Sequence, residues 1–409
     1  MPLAGATSPS QPINPKRLTW ALCLASVVIY INLYTLQGML PLIAEHFDVT
    51  GANATLILSV TSFSLAFSLL MYAVLSDRVG RLLPMVVSLW ALVLSNLLLI
   101  CANEFETLML VRLVQGVLLA AVPAIAMAYF KEQLPAEFML KAAAVYIMAN
   151  SFGGISGRIF GGLMAQHLDW QQSMIMMFTV TLIGVAVVTY LLPRCEVRPE
   201  KQQLPIIEKM RYDLKGFVLH LSDSQMRLVY LIGGLAFMMM VNQFSFIQLH
   251  LMESPYSLSR FAATLIFLCY LSGSVSSYSS ARLIMKYGTT KLFKLALALM
   301  LIGSLITLHD TLLWIVVGFL VTASGFFLAH SCCNSFVAVR ATAHRAKATS
   351  LYLCSYYLGA ALGGPYLMVF WQQNKWDGVV LGSMVLIALM LVAIARITYL
   401  ERLVKAQSI

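Results

Sequence analysis

Two arginines stand where a membrane-crossing reading leaves them no obvious counterion. Arg112 falls in the apolar run 107–130 and Arg158 in the run 140–165, whereas all 17 Asp and Glu fall in loops or near the ends of such runs. A charge at a bilayer centre costs roughly 2.5–3.5 kcal/mol even on the lenient insertion scale, so it faces a cavity or finds partners. The guanidinium has two uses there. Its planar fork can grip a carboxylate or phosphate of an anionic substrate. Alternatively the same donors bond backbone carbonyls and helix ends, or snorkel outward, and serve structure. Both arginines lie at similar depth on a hairpin that turns near Pro135, so their guanidiniums could come close together.

Other polar residues in apolar runs extend the candidate site. Asn32, Tyr34 and Gln37, with Tyr30, lie in the first run; Asn242 and Gln243, with Ser245 and Gln248, lie in the seventh. Tyr352, Tyr356 and Tyr357 lie in the eleventh. Any one of them could make an interhelical bond, worth under about 2 kcal/mol. As a set over pseudo-equivalent runs they favour a polar substrate, although the 23 methionines offer an adaptable wall for a drug. His330, midway along 311–335, is the best proton carrier because an unperturbed imidazole titrates at about 6.5; the alternative is a satisfied histidine in a helix interface. Glu45, His250 and Glu253 are weaker candidates for a vestibule relay.

The elements that position these groups follow from composition. Hydrophobic residues make up 60% of the 409, and charged residues 11%, against about 25% in soluble domains. A water-soluble enzyme is excluded. Twelve runs are long enough to span a hydrocarbon core needing about 20 residues: 18–40, 53–75, 83–103, 107–130, 140–165, 170–193, 226–250, 260–282, 291–309, 311–335, 347–371 and 378–400. They lack strand alternation, so helices are expected. Apart from Arg112 and Arg158, all Lys and Arg except Arg260 and Lys375 fall on one side, which places both termini in the cytoplasm. The basic balance therefore reflects topology, and nucleic acid drops out as a partner.

The expected organisation is a disordered tail (1–17), a six-helix lobe (18–193), a cytoplasmic linker (194–225), a second lobe (226–400) and a tail (401–409). Within the linker Ile206, Ile207, Met210, Leu214, Phe217, Val218 and Leu221 repeat at helical spacing, as in an amphipathic helix on the membrane surface. The lobes repeat: Lys141, Tyr146, Gly153, Gly157 and Trp170 align with Lys347, Tyr352, Gly359, Gly363 and Trp376. Such parallel six-helix repeats mark a two-lobed transporter with its site at the lobe interface. The seven cysteines are an odd number without CxxC pairing; no disulfide framework, metal or cofactor is expected. There is no HExxH, P-loop or GxGxxG, and Gly154-Ile155-Ser156-Gly157-Arg158 breaks the GxSxG pattern at its last position. The chain is read as a non-enzyme, with a non-transporting membrane sensor as the alternative of another class.

Three motifs carry a resemblance. Ser76-Asp77-Arg78-Val79-Gly80-Arg81 resembles the D-R-x-G-R signature of the major facilitator superfamily, and Arg112-Leu113-Val114-Gln115-Gly116 is similar to its R-x-x-Q-G motif. Gly153, Gly157, Gly161 and Gly162 are similar to the G-x-x-x-G-P-x-x-G-G motif of its proton-coupled exporters, with Arg158 in place of the proline. The resemblance implies an all-α, twelve-helix fold in two pseudo-symmetric lobes, alternating access, and a bacterial inner-membrane monomer. It further implies a gating role for Asp77, Arg78, Gly80, Arg81, Gln115 and Gly116. The glycines, with Gly359 and Gly363, form smooth stripes that let backbones approach and lobes rock. The expected function is proton-linked export of a small polar or anionic metabolite or drug. The alternative is uptake or exchange of an organic anion, such as a siderophore-like carboxylate, without proton antiport.

Overall fold

The computed structural model describes residues 14–193 and 206–407; the tail residues 1–13, the linker segment 194–205 (with Cys195) and residues 408–409 lie outside the described residues. Among the described residues every regular element is helical. The spans are α1 (Pro15–Gly38), α2 (Gly51–Val79), α3 (Leu82–Ile100), α4 (Phe105–Gln133), α5 (Ala136–His167), α6 (Trp170–Leu191), α7 (Ser224–Met252), α8 (Arg260–Tyr287), α9 (Thr289–Ile306) and α10 (Leu312–Arg340). The helical stretch Arg345–Gln407 breaks at Asn374 and Lys375, where Lys375 has φ 46°, and so supplies α11 (345–373) and α12 (376–407). The expected twelve crossings are present. Their outward faces carry exposed leucine, isoleucine and valine, among them Leu94, Leu98, Leu110, Ile183 and Val392, as lipid contact requires, because hydrocarbon is as apolar as these side chains.

The turns follow local chemistry. Asp169 and Gln172 form a capping box that starts α6, and the Asp223 carboxylate accepts from the backbone N–H groups of Gln225 and Met226 at the start of α7. Gly80 (φ 98°) and Gly288 (φ 81°) make the equivalent α2–α3 and α8–α9 turns in left-handed conformations that side chains resist. Those turns share one end of the bundle with Arg78, Arg81, Lys131, Lys141, Arg340 and Arg345. We call it the basic end and the opposite one the far end.

Close packing holds each lobe. A Cβ placed on Gly153, Gly157 or Gly161 would lie within 2.9 Å of the α1 backbone at Val27, Ile31 or Thr35; one on Gly359 or Gly363 would press on Gly234, Met238 or Asn242 of α7. The two stripes therefore bind α5 to α1 and α11 to α7 inside their own lobes, which corrects the expectation that they form the rocking surface. Gly162 faces the other lobe instead, with Thr264 of α8 2.3 Å from the position of its absent Cβ.

At the far end the lobes are closed. Arg260 of α8 pairs with Glu45, donates to the Ala165 carbonyl at 3.1 Å, and its neighbour Phe261 donates to Gln166. Within the second lobe, Lys375 of the α11–α12 turn pairs with Glu253 of the α7–α8 turn at 2.9 Å. The linker helix Ile206–Ser222 lies across the basic end. It turns Asp213, Gly216, Phe217 and His220 toward the bundle and leaves Leu214, Val218 and Leu221 exposed, an apolar stripe suited to a membrane surface. The side chains of Ile206, Ile207 and Met210 lie outside the described set.

Candidate transport site

Arg112 is committed to its own lobe. It is buried on α4, where its Nε donates to Thr61 Oγ1 of α2 at 3.0 Å and its Nη atoms donate to the Asn32 and Leu33 carbonyls of α1, both at 3.1 Å, and to Gln115 Oε1 at 2.7 Å. Gln115 passes the network on by donating to Ser95 Oγ (3.0 Å) and Asn96 Oδ1 (2.8 Å); Asn96 donates to Asn32 Oδ1 at 2.9 Å. Asn32 in turn donates to Thr181 Oγ1 of α6 at 3.0 Å. Gly116 lets α4 meet α2, since its Cβ would sit 2.2 Å from the Thr61 carbonyl oxygen. Arg112, Asn32, Gln115 and Gly116 thus cross-tie α1, α2, α3, α4 and α6.

The second lobe has a matching tie. Gln243 of α7 donates to Ser304 of α9 (3.2 Å) and Ser383 of α12 (2.8 Å), which ties α7 to the helices that correspond to α3 and α6 in the repeat. Asn242 donates to the carbonyls of Met238 and Ala360, which leaves Oδ1 buried without a partner. Arg112, Asn32, Gln243 and Asn242 were candidate ligand groups; the structure engages each of them in helix-to-helix bonds. Arg112 and Arg158 share no hydrogen-bond partner among those the structure gives them.

Arg158 is placed differently. It points from α5 into the seam between lobes, where Nε donates to Gln37 Oε1 at 2.8 Å and Nη1 to the Gly154 carbonyl at 2.8 Å. Its guanidinium carbon lies 3.7 Å from the Tyr34 ring centroid, 4.8 Å from that of Tyr270 and 5.2 Å from that of Phe267. Tyr34 belongs to the same lobe, whereas Tyr270 and Phe267 come from α8 of the other. Cation–π contact supplies what a carboxylate otherwise would. The Tyr270 hydroxyl is buried there without a hydrogen-bond partner.

Toward the basic end an aromatic wall continues from this point. The Tyr30 and Tyr357 hydroxyls meet across the seam at 3.2 Å. Tyr356 stacks on Phe237 at 3.7 Å and lies 4.9 Å from His330. His330 Nδ1 is 2.7 Å from the Tyr352 hydroxyl and Nε2 is 3.0 Å from Asn334 Nδ2. Asn334 Nδ2 also donates to the His330 carbonyl, which fixes the amide as a donor. Nε2 must then accept, the proton sits on Nδ1, and the imidazole is neutral as arranged. Of the predicted groups, Arg158, Tyr34 and Gln37 come together at the seam, and Tyr352, Tyr356 and His330 form the adjoining wall. Tyr270, Phe267 and Phe237 were missed; in chains this aromatic, spacing alone does not separate them from core residues.

The D-R-x-G-R turn forms a compact ionic group. Arg81 pairs with Asp77 (2.6 Å) and Glu132 (2.7 Å) and donates to Ser76. Burial opposes its charge, yet Glu132 and Asp77 outweigh that and raise its pKa. Arg78 lies 3.9 Å from Asp213, whose other oxygen takes Lys347 of α11 at 2.8 Å. Arg340 holds Asp223 at 2.6 Å. Burial works against the Asp223 charge, but this bond and the two backbone donors lower its pKa overall.

Residues 22–364 match the family model described as Major Facilitator Superfamily. The chain is 33% identical over 394 residues to the MFS-type transporter YybF of Bacillus subtilis (strain 168), spanning 95% of both chains. It is 32% identical over 377 residues to the inner membrane transport protein YnfM of Escherichia coli (strain K12), spanning 92% of this chain and 88% of that one. In fold it is similar to the nucleoside transporter NupG, with a TM-score of 0.75 at 14% identity, over 93% of this chain and 99% of that structure.

Proposed function

The chain belongs to the major facilitator superfamily of membrane transporters, and from that premise we propose that it moves a small organic anion with a planar or aromatic body across the bacterial inner membrane by alternating access. The carrying observation is Arg158. Its cation lies at the seam of the two lobes, walled by rings from both, with no carboxylate among the partners the structure gives it. An anion entering between the lobes gains a charge-assisted contact with Arg158 and stacks on Tyr34, Tyr30, Tyr356 or Tyr357.

The basic end faces the cytoplasm by the positive-inside rule, so the closure at the far end shuts the seam on the side away from the cytoplasm. Export linked to protons is the leading direction, with His330 as carrier: protonating Nε2 sets it against the Asn334 donor and forces the Tyr352–His330–Asn334 group to rearrange. Anion exchange without protons is the second reading, favoured because both His330 nitrogens already have partners. The test is transport in proteoliposomes with internal pH recorded, using a panel of aromatic and aliphatic carboxylates. Arg158→Met is expected to insert normally and lose carboxylate transport. Wild-type kinetics in that variant would remove the anion site, and flux indifferent to a pH gradient would remove the proton-linked version.

A further inference from the structure

Gln37 has its two ends in different machines. Its Oε1 accepts from Arg158 Nε of α5 at 2.8 Å, whereas its Nε2 donates across the seam to the Val241 carbonyl (3.0 Å) and Ser245 Oγ (2.8 Å) of α7. The amide orientation is dictated by its neighbours, because Arg158 only donates and the Val241 carbonyl only accepts. The side chain is buried, so each bond is made away from competing water. A reciprocal bond sits one residue on: Gln248 of α7 donates to the Gly38 carbonyl of α1 at 3.0 Å. Gly38 itself is wedged against α5, its absent Cβ 2.1 Å from the Arg158 carbonyl oxygen. Gln37 and Gly38 therefore form a junction where the candidate anion site and the closed far-end seam share one amide.

We propose that Gln37 is the positioning residue that links occupancy of the Arg158 site to opening of the far end. The link rests on the reading of Arg158 as the anion site. While Arg158 holds Oε1, Nε2 is aimed at α7 and the lobes stay closed. An anion that takes the Arg158 Nε donor releases Oε1; the amide loses its anchor and the donors to Val241 and Ser245 lose their aim. Among the hydrogen bonds of the described residues, that of Gln248 then remains between α1 and α7, and the far end parts.

The two halves of the amide can be tested separately by hydrogen–deuterium exchange of the full-length protein in detergent, without any ligand. Gln37→Glu keeps an acceptor for Arg158 and removes the donors to α7; Gln37→Met removes both; Arg158→Met removes only the anchor. Far-end peptides covering 38–55 and 246–262 are expected to exchange at least five-fold faster in both Gln37 variants and at least two-fold faster in Arg158→Met. Peptides at the basic end around 76–82 should slow, since the lobes rock reciprocally. Unchanged far-end exchange in the Gln37 variants overturns the gate, and unchanged exchange in Arg158→Met overturns the link. Acceleration at both ends would mark general destabilisation and overturn the proposal as well. Benzoate is then added to wild-type protein, where it should accelerate the far end, and to Gln37→Met, where it should add nothing. An equal benzoate response in the two proteins overturns the link, whereas no response in wild type counts against Arg158 as an anion site and leaves the ligand-free comparison to decide the role of Gln37.

Discussion

Lys347, at the start of α11, meets Asp213 of the linker helix at 2.8 Å, and the same carboxylate lies 3.9 Å from Arg78 at the end of α2. One acid thus stands between a cation of each lobe. Its side chain is 10% exposed and that of Lys347 12%, so the pair is more than a surface contact. Gly216 fits the helix to this place, because a Cβ there would lie 2.6 Å from the Lys347 side chain. Asp213→Asn is expected to leave two cations facing a neutral group and to cost about 2–3 kcal/mol. The check is the apparent melting midpoint of the purified protein. It should fall by several degrees, and Lys347→Met on the same background should recover part of the loss. A midpoint equal to wild type would make the bridge incidental.

Arg112 and Arg158 should separate in the laboratory as they do in the structure. Removing Arg112 deprives the Asn32 and Leu33 carbonyls, Thr61 and Gln115 of their donor at once, a loss of at least about 3 kcal/mol for buried charge-assisted bonds. Arg112→Ala is expected to give little monodisperse protein on size-exclusion chromatography, and Arg112→Lys an intermediate yield because a point charge cannot serve the fork. Arg158→Met should purify at near-normal yield. Equal yields from all three would sink the distinction.

The reason this distinction was not legible beforehand is geometric. Length and apolarity give the spans, because a bilayer demands both, and the turn glycines Gly80 and Gly288 match through the internal repeat. Which way a polar side chain faces depends on neighbours that a single helix does not name. Some of it was there to read. Arg112 and Gln115 are three apart and so share a helix face, which already points to in-lobe pairing. Asn32 and Gln37 are five apart, about 140° around a helix of 3.6 residues per turn, and cannot both face one cavity. The same spacing of five separates Gln243 from Gln248 in α7, so that Asn32 and Gln243 turn inward while Gln37 and Gln248 cross the seam. The ring contacts around Arg158 had no such signal, since Tyr270 and Phe267 come from a different lobe.

Stability should depend on acid through Asp223. Its pKa is held below the ordinary 3.8 despite burial, so its bonds to Arg340 and the α7 N-terminus contribute above that value and are lost as pH falls through and below it. The wild-type melting midpoint is expected to drop between pH 5 and pH 3. Asp223→Asn keeps a capping oxygen but no charge; it should be less stable by about 1 kcal/mol at pH 7 and lose less on acidification. Parallel pH profiles for the two proteins would show that another group sets the acid sensitivity.

The glycine stripe of α5 makes the sharpest packing prediction, because its members face different partners. A Cβ on Gly161 would be 2.0 Å from the Thr35 carbonyl oxygen inside the lobe, whereas one on Gly162 would be 2.3 Å from the Thr264 side chain across the seam. The first contact is with backbone and cannot yield without separating α1 from α5. The second is with a side chain on the surface that closes the far end. Gly161→Ala is therefore expected to lower the melting midpoint, at a cost of about 1–3 kcal/mol from overpacking, with similar exchange increases at both ends of the bundle. Gly162→Ala should leave the midpoint within a degree or two and accelerate hydrogen exchange of the far-end peptide 38–55, because the added methyl disfavours closure. If Gly162→Ala lowers the midpoint as much as Gly161→Ala and leaves far-end exchange unchanged, the assignment of the two neighbouring glycines to lobe interior and lobe seam is wrong.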